Sequence, residues 1–211
     1  ERVVEEVELV KKDFGIDFIQ FNDDTFVANR QRVLRICELL IEKKLEVTWY
    51  CFVRANLLDD ELLATMRRAG CVRVSMGVES GNKKSLELMN KKAEPEDYVR
   101  AYKLAHKHGI ETRASFIIGI PYETKDDILR TIAFAKTLDL DEAAFNIMTP
   151  YPGTKILEMA KQKQGITLLT DDYGEFRRWG NAVVELPHLS REELIKLHKY
   201  AVRSFYFRPK A

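Results

Sequence analysis

The chain has 211 residues, 45% of them hydrophobic and 32% charged, with a mean hydropathy of -0.29. That is enough chain for one sizeable hydrophobic core. Its 34 basic and 33 acidic residues leave a net charge of +1, which excludes a bulk electrostatic attraction to nucleic acid or an anionic membrane, and no apolar run is long enough to span a bilayer. The lysines at 83, 84, 91 and 92 come nearest to a basic patch and read mostly as a solvated helix face. Cys37, Cys51 and Cys71 are odd in number and widely spaced in sequence. They fit neither a disulfide framework nor a compact metal motif, and point to a reducing, cytoplasmic setting.

The opening Glu1-Arg2-Val3-Val4-Glu5-Glu6 reads as a helix already in progress, without an initiator Met or a signal segment, as expected of a fragment or a domain boundary. A strand is expected at Asp17–Phe21, then a helix over about 30–43 with Val33, Ile36 and Leu40 at helical spacing. Val47–Phe52 is the second strand. Asp59 caps the next helix, which turns Leu62, Leu63 and Met66 inward and stops at Gly70. Val72–Gly77 follows as a strand, and Pro95 opens a helix carrying Tyr98, Val99, Tyr102 and Ala105, closed by Gly109. The fourth strand is Thr112–Ile118. Thr124 with Asp127 then caps a helix through Ile128, Ile132 and Ala135. The fifth strand, Ala143–Met148, ends in Thr149-Pro150-Tyr151-Pro152-Gly153, which no regular element tolerates. Residues 171–189 are irregular, with a short strand at Ala182–Leu186, and Ser190 with Glu193 forms a capping box for a helix to about Phe205.

Strand–helix alternation predicts an α/β fold with a parallel sheet, because each helix is the crossover that returns the chain. Periodicity alone leaves an open doubly wound sheet and a barrel equally admissible. In both, chemistry belongs just past the carboxyl ends of the strands. Those positions hold Asn22-Asp23-Asp24, Arg54, Gly77-Val78-Glu79-Ser80-Gly81, Gly119-Ile120-Pro121-Tyr122-Glu123 and the segment from Thr149 to Thr154. The acidic groups could bind a cation, an ammonium or a sugar diol, and the glycines permit close backbone approach. Each piece also has a plain reading: Asp23 and Asp24 as helix-entry caps, Arg54 as half of a surface ion pair, Glu79-Ser80-Gly81 as a turn, and Gly119-Ile120-Pro121 as a strand stop.

The ordered set, from Phe21-Asn22-Asp23-Asp24-Thr25-Phe26 through Arg54, Gly77–Gly81, Ile118–Thr124 and Thr149–Thr154, resembles the radical S-adenosylmethionine (SAM) superfamily over nearly the whole chain. The ending Ser204-Phe205-Tyr206-Phe207-Arg208-Pro209 is similar to the cobalamin-dependent branch that includes the anaerobic magnesium-protoporphyrin ester cyclases. The resemblance implies a partial (β/α) barrel with about five strand–helix units here, occupying 1–165, followed by an irregular segment and capping helix over 166–211. It also implies that the family's first strand and its CxxxCxxC loop, which holds a [4Fe–4S] cluster, are missing from this chain, together with the cobalamin-binding domain of that branch. No metal ligand is therefore expected within it.

Carried over by the resemblance, Asp23 and Asp24 meet the SAM ammonium, Glu79 reads the ribose or methionyl group, and Ser115 stands where relatives place a ribose-binding side chain, sharing a strand face with Arg113 and Ile117. Lys91 falls near a cation for the methionyl carboxylate, although a solvated lysine is the plainer reading. Arg54 belongs to the same rim. Gly119, Ile120 and Pro121, with Met148, would wall the adenine, and Glu123 reads as a helix-entry residue. The implied reaction is reductive cleavage of SAM to a 5′-deoxyadenosyl radical that abstracts hydrogen from the substrate, leading to methyl transfer or oxidative cyclisation, with an external electron donor and a small-molecule or peptide substrate. No residue of the chain is assigned as catalytic, and without the cluster segment the chain itself would be inactive. Two rivals stand beside this: a metal-dependent barrel lyase or aldolase using Asp23, Asp24 and Glu79, and a non-catalytic barrel remnant. His106, His108, His188 and His198 read as surface or packing residues, while Arg113, Arg177, Arg178 and Trp179 are candidates to line a pocket for an acidic or aromatic substrate.

Overall fold

A computed structural model describes residues 1–177 and 179–208; Arg178 and Pro209, named above, lie outside the described residues. The elements begin with helix α1 (Arg2–Phe14), strand β1 (Phe18–Phe21), α2 (Arg30–Glu42), β2 (Thr48–Phe52), α3 (Asp60–Arg68) and β3 (Cys71–Glu79). There follow α4 (Lys83–Leu88), α5 (Pro95–Lys107), β4 (Glu111–Ile118), α6 (Lys125–Thr137), β5 (Glu142–Ile147), α7 (Lys155–Lys161), β6 (Thr167–Leu168), β7 (Val184–Glu185) and α8 (Arg191–Tyr206). No helix among the described residues is long and apolar enough to cross a membrane.

Five parallel strands form one sheet in the order β1-β2-β3-β4-β5. The order never reverses, so the topological switch point of a doubly wound sheet is absent and the sequential order of a barrel is present. That decides between the two architectures that periodicity left open. β6 and β7 pair antiparallel as a separate ribbon.

Local capping starts most helices where the sequence places them. The Asp59 side chain accepts from the Leu62 N–H at 2.8 Å, and the Thr124–Asp127 and Ser190–Glu193 pairs both form complete capping boxes. α4 and α7 are the helices not expected from sequence. Each is short, six and seven residues, and opens on a side-chain cap from Asn82 or Thr154.

The chain gathers into two compact units. The first holds residues 1–77, 95–114 and 139–142. Its core contains fully buried Trp49, whose indole N–H donates to Ala69 O at 2.7 Å and whose ring meets the stacked Phe21–Phe26 pair. All three cysteines are free and buried in this unit. Cys51 lies beside Cys71, and Cys37 lies near enough to act on both, so three residues remote in sequence share one neighbourhood. Arg73 pairs with Glu111 at 2.8 Å, and Arg113 pairs with Glu142 at 3.0 Å. His106 sits between Asp139 and Asp141, at 2.6 and 2.9 Å, and His108 meets Asp60 at 3.0 Å, as the packing reading of the histidines expects.

The second unit holds residues 78–94, 115–138 and 143–211. Phe116, Phe145 and Phe205 form its aromatic core, with neighbouring centroids 5.2 and 6.2 Å apart. His198 of α8 donates from Nε2 to Phe145 O at 2.9 Å, joining that helix to β5.

Candidate functional site

In the first unit, Asp23 and Asp24 follow β1 and Arg54 follows β2. Asp23 is half-buried and pairs with Arg32 of α2 at 2.6 Å, while Arg32 also lies over the Phe26 ring. Neither aspartate caps the helix: α2 is capped by Asn29, whose side chain accepts from the Arg32 N–H at 3.0 Å. The capping alternative for Asp23 and Asp24 therefore fails, because the chain makes a short 3-10 turn at Phe26–Ala28 before α2 begins. Asp24 and Arg54 are exposed and have no ionic partner among the described residues, so the surface-pair reading of Arg54 has no counterpart.

In the second unit, Glu79 ends β3 with φ at +67°, a left-handed conformation that is uncommon for a residue with a side chain. Its carboxylate meets the Lys91 ammonium at 3.0 Å, the two side chains being 19% and 31% exposed. Lys91 is thus no freely solvated lysine. The turn out of α4, where Asn90 also has a positive φ of 52°, brings it back to the end of β3.

The segment after Glu79 is fastened to the loop after β4 by a chain of short contacts. The buried Ser80 hydroxyl meets the Thr131 hydroxyl at 2.9 Å, and the Gly81 N–H donates to the same oxygen at 3.1 Å. The Asn82 amide donates to Asp127 at 2.6 Å. Gly81 lies so close to α6 that a Cβ there would stand 2.6 Å from Cβ of Phe134. Glycine at 81 is a packing requirement here.

At the centre of this clamp is Glu123, buried at 5% exposure. One carboxylate oxygen accepts from the N–H groups of Gly119 and Ile120, at 2.9 and 3.0 Å, and the other accepts from the Ser85 hydroxyl at 2.8 Å. Glu123 therefore does more than open a helix. It closes the loop at Gly119, whose φ is +80°, and ties it to α4. Gly119, Ile120 and Pro121 are all buried, and the amides of the first two are turned to Glu123. Their potential contribution to a ligand is thereby reduced to shape and carbonyl groups. Met148, 7% exposed, donates its N–H to Ile118 O at 2.8 Å, beside the same loop. Ser115 is half-buried on the β4 face that also carries Arg113 and Ile117, matching the alternation expected from sequence.

Burial pushes the Glu123 carboxyl up to about 7, against the hydrogen bonds from Ser85, Ile120 and Gly119 that favour the charged form. Between its ordinary value of 4.5 and about 7 the folded state holds a proton that the unfolded state has released. Stability from this group is therefore full below the lower value and lost as pH rises through the window, by roughly 3 kcal/mol in all. We expect Glu123→Gln to remove this fall from a pH series of denaturant melts while keeping an oxygen for the two N–H groups. An unchanged pH profile in the variant would exclude Glu123 as its source.

The cysteines offer a contrasting environment. Desolvation pushes Cys37 up to about 12, and the neighbouring Cys71 thiol together with burial raises Cys51 well above the usual thiol range. Thiolates are what bind iron and zinc. These three do not fit a cluster, and among the described residues no group of three or more His, Cys, Asp or Glu side chains is arranged to hold a metal ion.

Comparison with known proteins places the chain in a family. Residues 1–135 match the radical SAM superfamily. An uncharacterized methyltransferase of Pyrococcus horikoshii is 38% identical over 210 residues, covering 100% of this chain and 45% of that protein. The anaerobic magnesium-protoporphyrin IX monomethyl ester cyclase of Cereibacter sphaeroides is 28% identical, covering 98% of the chain and 34% of the cyclase. The chain thus spans less than half the length of either relative. Among solved structures, the radical SAM methyltransferase TsrM from Kitasatospora setae, with cobalamin and a [4Fe–4S] cluster bound, aligns with a TM-score of 0.71 at 20% identity, over 81% of this chain and 36% of TsrM. At that identity the likeness speaks to the fold.

Proposed function

We propose that this chain, which belongs to the radical SAM superfamily, is the SAM-binding part of a larger enzyme whose substrate radical leads to methyl transfer or oxidative cyclisation. The observation that carries the reading is the Glu79–Lys91 pair at the carboxyl end of β3. A carboxylate and an ammonium held together there are complementary to the ammonium and carboxylate of a methionyl group, so the residues present fit SAM. When bound at a reduced [4Fe–4S] cluster, SAM supplies a 5′-deoxyadenosyl radical for hydrogen abstraction.

The chain's own contribution is binding and exclusion of water. Glu79 accepts hydrogen bonds from the ammonium or the ribose, each charge-assisted and so stronger than a neutral bond. Lys91 neutralises the methionyl carboxylate. Ser115 offers a hydroxyl to the ribose. Ile120, Pro121 and Met148 present apolar surface to adenine, over a loop whose shape is set by Glu123.

The three cysteines do not fit the cluster, so its ligands would come from sequence outside this chain, as would a cobalamin-binding domain of the kind suggested by the relatives. An external electron donor and a small-molecule or peptide substrate complete the set, in a cytoplasmic setting that agrees with three unpaired thiols. The metal-dependent lyase reading is not favoured, because residues 1–135 match the radical SAM superfamily. The test is anaerobic reconstitution with iron and sulfide. The full-length protein should gain cluster absorbance and release 5′-deoxyadenosine from SAM on reduction, while the isolated chain should do neither. A full-length protein that takes up no cluster would overturn the reading in favour of a non-catalytic barrel.

A further inference from the structure

The backbone at Glu79 is strained, and the strain is held from the next element. The Ser80 N–H donates to Val78 O at 2.9 Å, which closes a three-residue turn around Glu79 at its φ of +67°. A γ-turn about a residue with positive φ is the rarer and strained of the two forms. Such a conformation persists only where its surroundings fix it, and strained residues of this kind gather at ligand clamps.

What fixes it is a pair of hydroxyls. Ser80 and Thr131 are both fully buried, at 0% exposure. Thr131 shares the inward face of α6 with three apolar side chains, Ile128, Ile132 and Ala135. A hydroxyl in that position costs free energy unless it is hydrogen-bonded, and valine would fill the same space without one. The Thr131 oxygen serves two groups of the segment after Glu79: it meets the Ser80 hydroxyl and accepts from the Gly81 N–H. Ser80 Oγ in turn accepts from the Asn82 N–H at 3.0 Å. Three successive residues after the turn are therefore pinned, directly or through Ser80, to one buried side chain of α6.

The same pinning reaches Lys91. Asn82 caps α4, its side-chain oxygen accepting from the Lys84 N–H at 3.0 Å. The Lys91 N–H then returns to Leu86 O of that helix at 2.9 Å. Both halves of the Glu79–Lys91 pair thus hang from the segment that Thr131 holds.

We propose that Thr131 is a positioning residue for the methionyl site, its hydroxyl keeping the turn at Glu79, and with it the carboxylate and the Lys91 ammonium, in the geometry that binds. The assignment to SAM rests on the function proposed above, whereas the lock itself rests on its hydrogen bonds alone.

The test uses the full-length protein and two substitutions that divide shape from hydroxyl. Thr131→Val keeps the shape and loses the hydroxyl, while Thr131→Ser keeps the hydroxyl and loses a methyl group. Both should melt below the parent. SAM affinity at equilibrium should fall about tenfold in the valine variant, because the site is no longer pre-organised, and stay within about twofold in the serine variant. Amide hydrogen exchange of residues 80–82, measured without SAM, should quicken by about tenfold in the valine variant only. Ser80→Ala is a milder second variant that leaves the Thr131–Gly81 bond in place, and it should weaken SAM by about threefold. Equal losses of SAM affinity in the valine and serine variants would reduce Thr131 to packing and overturn the proposal. So would unchanged affinity in both Thr131→Val and Ser80→Ala when Glu79→Ala does weaken SAM. If Glu79→Ala leaves SAM affinity unchanged, the wider function fails and the role at SAM fails with it, while the exchange rates still decide the lock.

Discussion

Glu123→Ala is expected to destabilise the protein by about 3–5 kcal/mol, since the substitution strands two buried backbone N–H groups and one buried hydroxyl, each costing roughly 1–3 kcal/mol when left without a partner. The donors concerned are Gly119, Ile120 and Ser85. A water in the resulting space would recover part of the loss, which is why the sum stays below its upper limit. Denaturant melts near pH 4.5, below the window in which the Glu123 carboxyl costs stability, measure the effect directly. Glu123→Gln separates geometry from charge: it can still accept from both N–H groups and at that pH should stay within about 1 kcal/mol of the parent. If alanine and glutamine cost the same, the hydrogen-bonded clamp is not what holds the loop. The same variant bears on function, because the loop it closes carries Ile120 and Pro121. SAM binding should weaken in the alanine variant and be retained in the glutamine variant.

The second large effect is expected at Gly81. Alanine there would bring its Cβ to 2.6 Å from Phe134 Cβ and 3.0 Å from Cγ. Rotating the phenyl ring cannot relieve the Cβ contact, since that atom is fixed to the α6 backbone. Either the helix or the segment after Glu79 must move, at a cost of about 2–3 kcal/mol, the upper part of the range for overpacking. Movement of the segment would also stretch the Gly81–Thr131 and Asn82–Asp127 contacts. Thermal melting should show the loss, and it should be accompanied by weaker SAM binding because Glu79 lies only two residues away. A variant as stable as the parent would mean that the approach to Phe134 is looser than the structure has it.

What could be seen in the sequence was local. Asp59, Thr124 with Asp127 and Ser190 with Glu193 mark helix starts within four residues of chain, and all three act as caps. Strand–helix alternation gave the class of fold, while the choice of a barrel order needed strand neighbours that periodicity does not encode. α4 escaped because six residues with one buried leucine are too few for a helical period to register. The site was legible as a set of positions and illegible as a set of partners. Glu123 finds Ser85 from 38 residues away, Trp179 finds Asn146 from 33, and the three cysteines come together from separate elements. A Gly followed four residues later by Glu was the one available sign of the clamp, and it reads as an ordinary helix entry until the fold buries it.

The central proposal is that Glu79, paired with Lys91, holds the methionyl group of SAM. Glu79→Ala should be made in the full-length protein and SAM affinity measured at equilibrium, with a melting curve confirming that the variant is folded. Loss of a charge-assisted hydrogen bond is worth about 1.5–3 kcal/mol, so the substitution should weaken SAM binding by roughly 10- to 100-fold. Unchanged affinity would contradict the account.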